Sequence, residues 1–87
     1  MIECMGNFST VYLVEDHTDD EPAPYTRYWL HVYTSRDKAK AGVEHYAQRG
    51  GHGPVRWQEH SPSSYAYRAD GARDRELYRI VPLNVQP

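Results

Sequence analysis

The segment TSRDKAKAGVEHYAQRGG, residues 34–51, decides the fold because it carries a clear helical period. Its apolar residues recur at i, i+4, i+7 and i+8, which is the spacing of one helix face, and they are Ala39, Val43, Tyr46 and Ala47. Gly42 in the middle weakens a helix by about 1 kcal/mol relative to alanine, unless it lets a neighbour approach closely. The segment therefore predicts one amphipathic helix.

Both ends of this helix have termination signals. Thr34 or Ser35 can cap the N-terminus with a hydroxyl, and Asp37 lies three residues after Thr34, as in a capping box. Gly50 and Gly51 follow at the other end, where glycine adopts a left-handed cap without strain. We expect the helix to run from about residue 35 to residue 49.

Segments rich in β-branched and aromatic residues lie on both sides of the helix and predict strands. Two precede it, at residues 8–15 and 26–33, and three follow, at residues 54–60, 64–69 and 76–85. The order ββαβββ predicts an α+β fold, in which one helix packs on a mostly antiparallel sheet of about five strands. Such a layout is common among small proteins of bacteria and their phages.

The chain of 87 residues is long enough for a single small domain, residues 1–87. We expect residues 1–7 and 86–87 to be frayed and residues 16–25 to form an exposed acidic loop, because that stretch contains two prolines. Pro82 interrupts the last strand, and proline cannot donate a ladder hydrogen bond. We therefore expect that half of the strand to lie at an edge or a bulge.

The second hairpin, residues 54–69, alternates aromatic and polar residues. A three-residue turn, Ser61-Pro62-Ser63, would segregate them onto two faces. The aromatic face, which we expect to point inward, would carry Val55, Trp57, Tyr65, Tyr67 and Ala69. The polar face would carry Arg56, Gln58, His60, Ala66 and Arg68.

The first hairpin is apolar on both of its faces, and one helix can cover only one of them. We expect the covered residues to be Val11, Leu13, Tyr28, Leu30 and Val32. The opposite face would then lack cover unless the sheet curls or a partner binds there. With two nearby arginines it forms the candidate interaction surface Tyr12, Arg27, Trp29, His31, Tyr33 and Arg79.

Composition excludes several classes of protein. The net charge of −2 argues against general coating of nucleic acid, although a local surface of arginines and aromatic residues could still bind a single strand. Cys4 is the single cysteine, so neither an internal disulfide nor a cysteine zinc site can form. No apolar run approaches 18 residues and no signal peptide is recognisable, so we expect a soluble, cytoplasmic protein without membrane contact.

The sequence contains no recognisable catalytic, metal or cofactor motif. No strained-turn signature surrounds a serine, and the spacing of the histidines and carboxylates does not select a catalytic pair. The histidines also lack the close pairing of zinc sites. An acidic run is better explained as a solvated loop or as an electrostatic attraction for a basic partner, through Glu15, Asp16, Asp19, Asp20 and Glu21.

These observations favour a small non-catalytic protein that binds another protein in a regulatory or inhibitory role, and that associates with itself as a homodimer. The thin core of a short chain and its surplus of tyrosine, eight residues, support this expectation. Binding of single-stranded nucleic acid by an aromatic and arginine sheet face is the alternative. An enzyme without a recognisable motif is the third interpretation.

Overall fold

A computed structural model describes residues 9–18, 28–71 and 75–85, with the backbone alone for residues 28–30. Five strands and one helix follow each other in the predicted order: β1 (Ser9–Asp16), β2 (Tyr28–Tyr33), α1 (Arg36–Arg49), β3 (Val55–His60), β4 (Ser63–Arg68) and β5 (Tyr78–Val85). The strands form one open antiparallel sheet in the order β2-β1-β5-β4-β3. The predicted α+β class is confirmed, while the expected frayed ends and residues 19–25 of the acidic loop lie outside the described residues.

Helix α1 forms where its apolar period predicts it. The Ser35 hydroxyl accepts a hydrogen bond from the Lys38 N–H at 3.1 Å, so Ser35 rather than Thr34 is the cap. Asp37 lies in the first turn without completing a capping box. Its negative charge there interacts favourably with the positive N-terminal end of the helix dipole. Gly51, with a φ of 80°, supplies the left-handed residue after the helix. No helix in the described ranges is long and apolar enough to cross a membrane.

The core lies between α1 and one face of the sheet, which we call the helix face. The helix contributes three fully buried small residues, Ala39, Val43 and Ala47. The buried residues from the sheet side are Val14, Ala66, Leu77, Tyr78 and Ile80. The helix therefore packs most closely on β1, β2 and β5, because the fully buried residues of its contact stripe are small, while Tyr46 on the same stripe is half-buried against the core.

The predicted face assignment of the first hairpin was wrong. Val14 is fully buried on the helix face, and Tyr12 and Tyr33 pack against the same core. Val32 pairs with Leu13 on the opposite face of the sheet. The physical reason is the small helix stripe, since a Cβ added at Gly42 would meet the Tyr33 hydroxyl oxygen. Large tyrosine rings therefore fill space that the helix leaves open.

The predicted register of the second hairpin was also wrong. His60 pairs with Ser63 and Trp57 with Ala66, so the turn consists of two residues, Ser61 and Pro62, joined by a cis peptide bond. Moving the register by one residue transfers all side chains of a strand to the other face. Val55 and Trp57 still pack against the core as predicted, whereas Ala66 is fully buried. The rings of Tyr65 and Tyr67 lie on the other face, as the pairs Tyr65↔Gln58 and Tyr67↔Arg56 require.

Strand β5 continues beyond its neighbour β4. The pairing between them runs from Tyr78 to Ile80, whereas the pairing of β5 with β1 extends to Val85. Pro82 lies in this extension, where β1 is the one paired neighbour within the described part of the chain. The edge location predicted from the proline is confirmed, because an open edge tolerates a residue without an N–H.

Candidate functional site: the open face of the sheet

The face of the sheet opposite the helix, which we call the open face, carries a continuous apolar surface over β2, β1 and β5. Directly paired residues of an antiparallel sheet share a face, so the pairs Val32↔Leu13 and Leu13↔Val81 form one row. The pairs Val11↔Leu83 and Ser9↔Val85 extend this row towards the ends of β1 and β5. We call these residues the apolar patch: Val11, Leu13, Val32, Val81, Leu83 and Val85.

The exposed members of this patch lie at its margins, whereas Leu13 in the middle of the row is only 4% exposed. Val32, Leu83 and Val85 are 49%, 42% and 47% exposed, and they are the exposed large hydrophobic residues of the described part of the chain. All three lie on the open face. Scattered exposed apolar residues are normal on a protein surface, whereas a contiguous group marks an interaction site. The patch is therefore the strongest candidate interface that the described residues offer.

A buried carboxylate lies beside the patch at the end of β1. Glu15 is 5% exposed, its Oε1 lies 3.0 Å from His17 Nε2, and its backbone pairs with that of Arg79. Glu15 lies in the strand as predicted for residues 8–15, but its burial contradicts its assignment to an exposed acidic partner loop. Asp16, predicted as the first residue of that loop, also belongs to β1, since the sheet register continues through it. Asp16 ends the strand and accepts from the Thr18 amide at 2.8 Å. The other predicted loop residues, Asp19, Asp20 and Glu21, lie outside the described residues.

Arg79 connects this end of the open face to β4. Its guanidinium donates two hydrogen bonds to Glu76, one of them at 3.1 Å, and these raise the pKa of Arg79 above its ordinary value. The same guanidinium lies 4.9 Å from the centre of the Tyr65 ring. An arginine over an aromatic face is held by the ring quadrupole. Arg79 is therefore fixed in place over β4 rather than free in solvent.

A second arginine and tyrosine pair lies on β3 and β4. The Arg56 guanidinium is 4.9 Å from the Tyr67 ring centre, and the His60 ring meets Tyr65 edge-on at 5.4 Å. We call this part of the open face the Arg–Tyr surface: Arg56, His60, Tyr65, Tyr67 and Arg79. The rings of Tyr65 and Tyr67 are therefore partly covered by the two guanidinium groups rather than by the helix.

The residues of the predicted interaction surface do not come together. Tyr12 lies on the helix face under the Arg36 guanidinium, at 5.1 Å. His31 is exposed beside Tyr33, with ring centres 4.6 Å apart, and pairs with the helix-face residue Val14. Arg79 lies on the open face, and Arg27 and the side chain of Trp29 lie outside what the structure describes. The predicted surface is therefore divided between the two faces.

Tyr33 is tied to the helix rather than available to a partner. Burial raises its pKa to about 12, and a hydrogen bond with the Tyr46 hydroxyl acts in the same direction. Its ring lies against Gly42. Tyr33 is therefore part of the packing between β2 and α1.

A polar cluster joins the helix to the second hairpin. Arg36 Nη1 donates to the buried Ser64 hydroxyl at 2.7 Å, and that hydroxyl donates to Glu59. Lys40 Nζ donates to the other Glu59 oxygen at 2.7 Å. These hydrogen bonds, that from Lys40 first, lower the pKa of the Glu59 carboxyl. The cluster is inaccessible at Ser64, so it fixes the hairpin and does not offer a nucleophile.

A cleft of about 360 Å³ lies at the far end of this hairpin, between residues 51–54 and 68–70. Arg68 donates to Asp70 through two nitrogens, at 3.1 and 2.8 Å, so these charges satisfy each other. Within the described ranges no three histidine, cysteine or acidic side chains are grouped as metal ligands. Compared with this cleft and the polar cluster, the open face is the stronger candidate for a binding site.

Sequence reasoning missed most of the residues of this site. Alternate positions of β5 are apolar in both phases, with Tyr78 and Ile80 in one and Val81 and Leu83 in the other. This pattern indicates a strand that is apolar on both faces, and it was the available signal. Comparison with models of known protein families, with curated proteins and with solved structures gave no match.

Proposed function

We propose that this protein is a small non-catalytic module that binds other protein surfaces through its open face, and that its first partner is a second copy of itself. The observation that carries the proposal is the location of Val32, Leu83 and Val85, which are all exposed on the face opposite α1. Domains are built from packed layers, and among the described residues a helix covers one side of this sheet and no element covers the other. A second copy supplies the missing layer.

The size of the apolar patch suits a weak association. Three strands at a spacing of about 4.8 Å and a length of about 20 Å give a face of roughly 300 Å². Two copies that meet through this patch would therefore bury about 600 Å², which is below the range of stable specific interfaces. A homodimer about a two-fold axis requires the same patch on both copies, and an uncharged apolar patch can meet itself without repulsion. We therefore expect a concentration-dependent dimer.

Substitution of the apolar patch tests this proposal. Leu83→Asp places a carboxylate on the open face, so it should keep the protein at the 10.1 kDa mass of the single chain. The wild type should approach about 20 kDa, twice that mass, at high concentration. Light scattering coupled to size exclusion measures both masses.

The neighbouring Asn84 supplies a matched control. It pairs with Thr10 across the same ladder and lies on the opposite face, also exposed. Asn84→Asp should therefore dimerise like the wild type. A wild type that remains a single chain at every concentration, or an Asn84→Asp protein that dissociates as completely as Leu83→Asp, would contradict the proposal.

A further inference from the structure

The half of the open face that lies beyond the apolar patch has a different chemistry. The outward residues of β3 and β4 there are Arg56, Gln58, His60, Ser63, Tyr65 and Tyr67, and none of them is acidic. Arg56 is exposed and has no carboxylate partner within the described part of the chain. This half is therefore aromatic and carries one arginine without a described carboxylate partner, Arg56, because Arg79 at its border is paired with Glu76; the chain as a whole has a net charge of −2.

We propose that the Arg–Tyr surface binds single-stranded nucleic acid, independently of the self-association through the apolar patch. The chemistry needed is a cation for the phosphate backbone beside an aromatic ring for a base. Arg56 and Tyr67 supply this combination, with the guanidinium 4.9 Å from the ring centre. Arg79 lies equally close to Tyr65, but its charge is already paired with Glu76, so this second pair offers its aromatic ring rather than a further cation. A polyanion without bases would contact the arginine but would leave the tyrosine rings without a stacking partner.

The geometry of β4 sets how many bases can be bound. Tyr65 and Tyr67 are two residues apart on the same face, which places them about 6.8 Å apart along the strand. Each ring, or the guanidinium that lies over it, can therefore stack against a base of its own. Arg79 lies on β5 and Arg56 on β3, on either side of the tyrosines. The surface thus fits two nucleotides that run along β4.

The expected affinity is low because Arg56 alone is available to neutralise a phosphate, since Arg79 is paired with Glu76. For single strands the logarithm of the binding constant falls by about 0.7 per phosphate contact for each tenfold rise in salt, so a slope of about −0.7 is expected. Since duplex DNA keeps its bases stacked on each other, it should bind more weakly than a single strand.

Fluorescence anisotropy with a labelled oligothymidylate of about ten nucleotides tests the proposal between about 50 and 200 mM salt. The matched probe is an abasic oligomer with the same number of phosphates, and polyglutamate represents an acidic protein segment. We expect the abasic oligomer to bind at least about fivefold more weakly than oligothymidylate, because base stacking is lost.

Variants assign the binding to this surface. Arg56→Ala should weaken binding and reduce the slope by about 0.7. Tyr67→Leu should lower the affinity about tenfold, while Tyr67→Phe should restore it because the ring remains. The control is Arg49→Ala, since Arg49 is an exposed arginine in the last turn of α1. Circular dichroism of each variant verifies that it is folded.

Three results would overturn the proposal. The first is the absence of oligothymidylate binding by the folded wild type at about 50 mM salt. The second is equal binding of the abasic oligomer or polyglutamate, which would reveal a purely electrostatic surface. The third is an Arg49→Ala variant that loses as much affinity as Arg56→Ala.

Discussion

At Gly42, a side-chain contact rather than helix propensity determines which residue is tolerated. The Tyr33 ring lies against it, and the ring is fixed by its hydrogen bond with Tyr46. At a solvent-exposed position inside a helix, replacement of glycine by alanine stabilises the folded protein by about 1 kcal/mol. Here the added Cβ would overlap the Tyr33 hydroxyl, and so the sign should reverse.

We therefore predict that Gly42→Ala lowers the free energy of unfolding by about 1–3 kcal/mol, as overpacking does in other cores. Urea denaturation measures the change. Ala41→Gly, at the exposed neighbouring position, is the control and should cost about 1 kcal/mol through propensity alone. A Gly42→Ala protein more stable than the wild type would show that Tyr33 can move away.

The sequence predicted the identity of these contact residues only in part. The helix period and the alternative role of Gly42 could be read from residues 34–51. The sheet face on which Tyr12 and Tyr33 lie could not be predicted. Both sets of alternate residues in the first hairpin are apolar, so an alternating pattern does not show which set points to the core. The irregular pairing between Val14 and Glu15 adds a shift that no local pattern indicates.

At the scale of the elements, the polar cluster of Arg36, Lys40, Glu59 and Ser64 holds the second hairpin against α1. The Glu59 carboxylate accepts from Lys40 and Ser64, which lowers its pKa below the ordinary value of 4.5. A lowered pKa in the folded state means that ionised Glu59 stabilises the protein above pH 4.5. This contribution should be lost as the pH falls through the folded pKa.

We therefore predict that Glu59→Gln destabilises the protein at neutral pH and that the difference from the wild type narrows below pH 4.5. Thermal unfolding across this pH range measures the difference. Lys40→Gln should show the same narrowing, because it removes the donor with the largest effect. A difference that stays constant with pH would mean that the charge of Glu59 does not contribute.

The second hairpin shows why a plausible element prediction fails in its register. A three-residue turn would separate polar from aromatic residues onto two faces. The register is determined instead by which side chains fit under the helix. The two-residue turn buries Ser64 and Ala66 under the helix, and it leaves Tyr65 and Tyr67 to be covered by arginines. The strands themselves could be predicted, whereas these pairings between distant side chains could not.

For the whole molecule, the order of elements and the number of strands could be predicted from the sequence, and the covered face could not. One helix of 14 residues covers one side of five strands. The other side divides into the apolar patch on β2, β1 and β5 and the Arg–Tyr surface on β5, β4 and β3. Two separate binding chemistries on one face are consistent with the two interactions that we propose.

The most direct test of self-association through the apolar patch is a dilution series followed by the methyl resonances of valine and leucine. We predict that the methyl signals of Val11, Val32, Val81 and Leu83 shift together with concentration. The signals of Val14 and Val43, buried on the helix face, should stay in place. Shifts confined to helix-face methyl groups, or no shift at any concentration, would contradict the account.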